Sequence, residues 1–216
     1  MSAEAGGARG LAALVLALGL ALAGCGAVGR HPVDLTGAWP EPAARPEPFA
    51  KVDRAWTRRA VLRSGFQQVL DVHATLRAPA WRAAWAEREI RVRGLPATAA
   101  AELRAAARTA ADGDYEVTLV VVTYDRAEND LDRGERSIWR LALIDDAGHE
   151  TPATEVVRDR RPRDVLRTEV ATYGDFAEVY VARFAKAAAV LRPGARQVQL
   201  KLSSTRGRVV LTWQAP

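Results

Sequence analysis

From Tyr115 onward, apolar residues fall on every second position in short runs separated by turn sequences. A strand satisfies that period and a helix does not. The end of the chain is the clearest case. Val198, Leu200 and Leu202 alternate with Gln197, Gln199 and Lys201, Ser203 to Gly207 reads as a turn, and Val209, Leu211 and Trp213 alternate back. This predicts a β-hairpin. Trp139, Leu141 and Leu143 alternate in the same way ahead of Asp145-Asp146-Ala147-Gly148, a second hairpin turn. Leu119 to Val122 is apolar at every position, as a central strand should be. Residues 66–76 place Leu70, Val72, Ala74 and Leu76 on one face. Residues 154–158 and 165–171 are weaker strand candidates, and Phe176, Tyr180 and Phe184 share a face.

Three helices are expected before and within this β-rich portion. Phe49, Val52, Trp56 and Ala60 form an apolar stripe at helical spacing, predicting a helix over about 48–63 that Ser64-Gly65 ends. Pro79 suits a first helical turn and opens a helix over 79–93, where Trp81 and Trp85 are neighbours at i, i+4. A third helix, mostly alanine on its apolar face, spans 96–112, with Gly113 after it. Strands and helices do not alternate through the second half, which excludes a parallel sheet. The expected class is therefore α+β, mainly β: an immunoglobulin-like antiparallel β-sandwich of seven to eight strands with N-terminal and inserted helices. Leu119, Val121, Trp139, Leu141, Tyr180, Leu200, Leu211 and Trp213 should be buried together between its two sheets.

The N-terminal segment carries a different signal. An apolar run over Leu11–Leu22 is followed by Ala23-Gly24-Cys25, and Cys25 is the single cysteine of the chain. A weakly charged start, an apolar stretch too short to span a bilayer, and small residues before a cysteine read as a lipobox. Residues 1–24 are expected to be a signal peptide, with Cys25 the lipid attachment site and the chain held at a membrane by its acyl groups. Gly26, rather than an aspartate, follows the cysteine, which favours the outer membrane. Residues 25–48 contain Pro32, Pro40, Pro42, Pro46 and Pro48 and are expected to be a lipidated Pro-rich tether, with residues 49–216 a single globular domain.

Charge and motif content narrow the function classes. The formal charge is +5, from 31 basic and 26 acidic residues. Only Lys51, Lys186 and Lys201 are lysines, so the basicity reflects arginine-rich composition, and no nucleic-acid partner is expected. A basic surface at an envelope meets anionic envelope components first. His31, His73 and His149 show no metal-ligand spacing. There is no G-x-S-x-G nucleophile elbow and no glycine-rich phosphate loop, so neither a catalytic residue nor a cofactor is expected. Asp125, Glu128, Asp130 and Asp132 are weak candidates for a Ca²⁺ site. Their spacing fits no calcium loop, and Arg126, Arg133 and Arg136 interleave with them. The run Arg158 to Arg163 reads as a solvated loop or as a patch for an anionic partner. Trp81 and Trp85 serve either core packing or the wall of a small-ligand cavity.

The segments Ser137-Ile138-Trp139-Arg140-Leu141-Ala142-Leu143, Tyr180-Val181-Ala182-Arg183-Phe184 and Leu211-Thr212-Trp213, behind a lipobox, resemble a family of bacterial lipoproteins from GC-rich proteobacteria. The resemblance covers residues 50–214 and implies a fold, but no activity, cofactor or catalytic residue. The expectation is a membrane-anchored, non-enzymatic binding or assembly module of the cell envelope whose partner is an envelope protein or an anionic component. An envelope hydrolase and a small-ligand carrier are the alternatives.

Overall fold

Eight strands dominate the computed structural model, which describes residues 31–41, 45–186 and 190–216. Cys25 and the apolar run before it lie outside the described residues. In chain order the elements are α1 (Phe49–Trp56), β1 (Thr57–Ser64), β2 (Gln67–Leu76), α2 (Pro79–Arg93), α3 (Ala97–Asp112) and β3 (Tyr115–Thr123). Two 3₁₀ turns, Arg126–Glu128 and Leu131–Arg136, lead to β4 (Arg140–Ile144) and β5 (Glu150–Arg158). Then come α4 (Arg163–Glu169), β6 (Glu178–Phe184), β7 (Gln197–Ser204) and β8 (Gly207–Gln214). No helix among the described residues is long and apolar enough to cross a membrane.

The strands form one antiparallel sheet in the order β1-β2-β3-β6-β5-β4-β7-β8. β4, β5 and β6 are a meander, and β3 and β7 reach across to flank it, so each flank makes a Greek-key connection. β5 changes partner along its length. Thr151 and Pro152 pair with β4, Ala153 to Arg158 pair with β6, and the register slips between Ala153 and Glu155. Such an irregularity bends a strand and increases its twist. The sheet curls until its two edge strands face one another. There Arg58 of β1 donates through Nε to the Thr212 carbonyl at 2.8 Å, with its guanidinium 5.9 Å from the Trp213 ring centroid.

The result is nearly a barrel, not two separately bonded sheets laid face to face as an immunoglobulin-like sandwich would have them. Alternation alone cannot distinguish the two, because both bury the same face of every strand. The antiparallel, mainly β class and the core do follow from the sequence. All eight residues expected to be buried together belong to one buried cluster.

Three local expectations change. The helix expected over 48–63 ends at Trp56, and Thr57–Ser64 is instead an edge strand paired along β2 from Thr57–Thr75 to Ser64–Gln67. Gly65 then supplies the left-handed turn residue, at φ 57°. The weak strand at 165–171 is mostly helix α4, which turns Leu166 onto the outer face of the sheet against Val120, Ala177 and Val179. Phe176 does not share the buried face of Tyr180 and Phe184 but is exposed.

The segment expected as a tether also contributes to the core. Val33 and Leu35 are buried, the Val33 N–H donates to the Gln214 carbonyl at 2.9 Å, and the Arg192 N–H donates to the Leu35 carbonyl at 3.0 Å. Alternating apolar residues between Pro32 and Gly37 let this short stretch lie along the end of β8.

A cleft between the helical covers as candidate functional site

The outward-facing row of the sheet positions the site. Thr75 of β2 pairs with Thr118 of β3, which pairs with Val181 of β6. All three point away from the barrel interior, since Ala74, Leu119 and Tyr180 point in. α1 and α2 flank this row on one side while packing Val52, Ala55 and Trp81 against the interior cluster, and α4 covers the outer face on the other. Between the covers lies a cleft of about 380 Å³, with Thr75, Thr118 and Val181 as its floor. That volume lies within the range of small-molecule sites, roughly 300–1,000 Å³.

One wall is aromatic. Phe49 from α1 and Trp81 from α2 meet edge to face, with centroids 5.6 Å apart. The Trp81 indole N–H donates to Asp53 Oδ1 at 2.8 Å, and Trp85 stands one turn further along α2. Both tryptophans are half-buried and line the cavity, and Trp81 also packs against the main hydrophobic core. Arg88 lies over the outer ring, 5.4 Å from the Phe49 centroid. These contacts hold the wall in one arrangement.

The floor carries charge. Arg77, just past β2, donates through Nε to Thr118 Oγ1 at 2.8 Å and through Nη1 to Glu116 Oε2 at 3.2 Å. Its guanidinium carbon is 5.6 Å from the Trp81 centroid. Arg82, buried on α2, donates to the same Glu116 oxygen at 2.9 Å, and Arg183 donates to Glu116 Oε1 at 3.2 Å. Burial pulls the Glu116 carboxyl upward, but Arg77, Arg82 and Arg183 together outweigh it and hold it below the usual carboxylate range. Burial lowers Arg77 from its ordinary value.

The opposite wall is a closed ion-pair set. Arg161 donates through Nε to Asp159 Oδ1 at 3.0 Å and through Nη2 to Oδ2 at 2.7 Å, and also bonds Glu169. The Arg161 hydrogen bond pushes Asp159 down, and the same bond pushes Arg161 up. The cleft is thus lined by arginines, carboxylates, threonines and aromatic rings, with neither histidine nor cysteine nor serine among its lining residues.

The acidic loop does not gather its carboxylates. Asp125 caps the first 3₁₀ turn, accepting from the Ala127 N–H at 2.9 Å. Glu128 pairs with Arg206 at 2.5 Å, buried Asp130 accepts from Ser137 Oγ at 2.9 Å, and Asp132 meets Arg158 at 3.3 Å. No group of three acidic, histidine or cysteine ligands among the described residues could hold a metal ion. Within the basic run, Arg158 turns inward to the Tyr180 hydroxyl at 3.1 Å while Arg160 stays exposed. Of the histidines, His31 and His149 are exposed, while His73 is half-buried and lowered by that burial despite nearby Asp71.

Sequence reasoning found Trp81 and Trp85 and singled out the run Arg158 to Arg163, which holds Asp159 and Arg161, but missed Arg77 and Glu116. Those two lie just past β2 and on β3, and the β2-β3 pairing brings them together. The one available signal was the outward phase of Thr75 and Thr118. Compared with protein-family models, curated proteins and solved structures, the chain matches none.

Proposed function

We propose that this chain is a non-catalytic binding module of the bacterial cell envelope, held at the membrane through lipid on Cys25, with the cleft between α2 and α4 as its ligand seat. The observation that carries the reading is the cleft itself: about 380 Å³ with a rigid aromatic wall and a charged floor. A few fixed polar groups set among apolar surface are what a small-molecule site requires. The Asp159–Arg161 pair is not set for acid–base chemistry. Asp159 is held low and Arg161 high by their mutual hydrogen bonds. General catalysis needs a group that changes protonation near the working pH. The acylated cysteine and Gly26 place the module on the outer membrane in this reading, where an anionic envelope component or a small ligand would reach the cleft.

Two measurements test it. Cys25→Ser should move the protein from the membrane fraction to the supernatant after a high-salt wash, and continued sedimentation would remove the anchor from the reading. A neutral aromatic probe, N-phenyl-1-naphthylamine, should gain fluorescence on binding the purified protein and lose it in Trp85→Ala. Absence of any binding would remove the ligand seat.

A further inference from the structure

We propose that the cleft takes a small organic monoanion, a planar apolar body bearing one carboxylate, and that Arg77 is the residue that recognises the carboxylate. This rests on the cleft being a ligand seat. The charge arrangement on the floor points to the anion. Arg77 and Arg82 share a single carboxylate, Glu116, with Arg183, and Arg183 has Glu155 as a second partner. Three guanidiniums therefore share the one Glu116 carboxylate at the floor, and Asp159 stands near enough to Arg77 to be lowered by its charge. Arg77 uses Nε and Nη1 in its hydrogen bonds, and no acceptor among the described residues meets its Nη2. Its side chain is one quarter exposed, 25 %, at the cleft floor. A carboxylate in the cleft would complete its fork, and charge-assisted bonds of this kind are the strong ones. Thr118 Oγ1 accepts from Arg77 Nε, which leaves its own hydroxyl proton to donate to the same ligand.

The other walls set the rest of the ligand. Arg161 is committed to Asp159 and Glu169, so it does not compete for the anion. Asp53, Asp159 and Glu169 line the remainder of the cleft and would repel a second negative charge. One carboxylate is favoured over two, and over a doubly ionised phosphate. Trp81 and Trp85 give the flat body its surface, and the volume suits a bicyclic ring.

The test is calorimetric titration of the detergent-solubilised full-length protein with 2-naphthoate, 2-naphthamide and naphthalene-2,6-dicarboxylate, with N-phenyl-1-naphthylamine as the neutral probe. Naphthoate should bind at least tenfold tighter than the amide or the dicarboxylate. Arg77→Met should abolish that preference while the neutral probe still binds, because Glu116 keeps Arg82 and Arg183 as partners. Should R77M not fold, Arg77→Lys serves in its place. One ammonium cannot serve Glu116, Thr118 and ligand together, so the preference should fall several-fold. Equal binding of naphthoate and amide, or an unchanged preference in the Arg77 variant, overturns the monoanion assignment and leaves the ligand seat standing. Failure of every compound, the neutral probe included, overturns both.

Discussion

The indole N–H of Trp213, one residue before the end of β8, donates to the main-chain carbonyl of Trp56 at 2.7 Å, across a sequence separation of 157. This bond and the Arg58–Thr212 bond hold the two edge strands of the sheet together where no backbone ladder does. Trp213 is fully buried at this seam. Truncating Trp213 to alanine should cost about 3–5 kcal/mol, as large aromatic deletions in cores do. Trp213→Phe keeps most of the apolar surface but leaves the Trp56 carbonyl without its donor, and should cost a smaller amount, roughly 1–3 kcal/mol. Urea denaturation reads both. A Trp213→Ala protein as stable as wild type would mean that the seam contributes nothing.

Glu116 makes the stability of the outer face depend on acid. Its folded pKa lies below the ordinary 4.5, because the three arginines outweigh the effect of burial. The stability it supplies is complete above that ordinary value and is lost as pH falls through the depressed folded value. Glu116→Gln should therefore be less stable than wild type at pH 7, by roughly 2 kcal/mol for lost charged hydrogen bonds. The gap should close as pH falls below 4. Melting temperatures of both proteins from pH 7 to pH 3 test this, and a gap that stays constant would sink it.

The β7–β8 hairpin was legible because its alternation is strict and its turn is marked by Gly207. β1 was not, because the Trp56–Ala60 spacing fits a helix as well as the start of a strand. Pairing to β2, a tertiary effect, decides for the strand from Thr57 onward. Residues 165–171 misled for the converse reason. A short amphipathic helix that buries only Leu166 leaves no helical stripe long enough to see. The cleft was half legible. The two tryptophans of its aromatic wall are local to α2, whereas Arg77, Glu116 and Arg183 meet at its floor through strand pairing, and no spacing along the chain records that.

The acidic loop offers a clean negative. Asp125, Glu128, Asp130 and Asp132 are engaged by four different partners, so no cation would find them converging. Thermal melts in millimolar Ca²⁺ and in chelator should superimpose within about 1 °C. A site at 100 times its dissociation constant would add about 2.7 kcal/mol, and each kcal/mol shifts a domain of this size by roughly 2–4 °C. A rise of several degrees in Ca²⁺ would restore the loop as a metal site.

The segment ahead of α1 should matter for stability as well as for reach. Leu35 is 1 % exposed, and its carbonyl accepts from the Arg192 N–H, while Val33 two residues earlier bonds the end of β8. Its side chain belongs to the same buried cluster as Trp213 and Tyr115. Leu35→Ala should then cost about 2–5 kcal/mol, the range for a buried leucine. Thr36→Ala, at an exposed neighbour, should change stability by no more than about 0.5 kcal/mol. Paired urea titrations of the two variants separate a packed strap from a spacer. If both variants unfold at the wild-type midpoint, residues 31–37 contribute no packing and the whole stretch behaves as a tether.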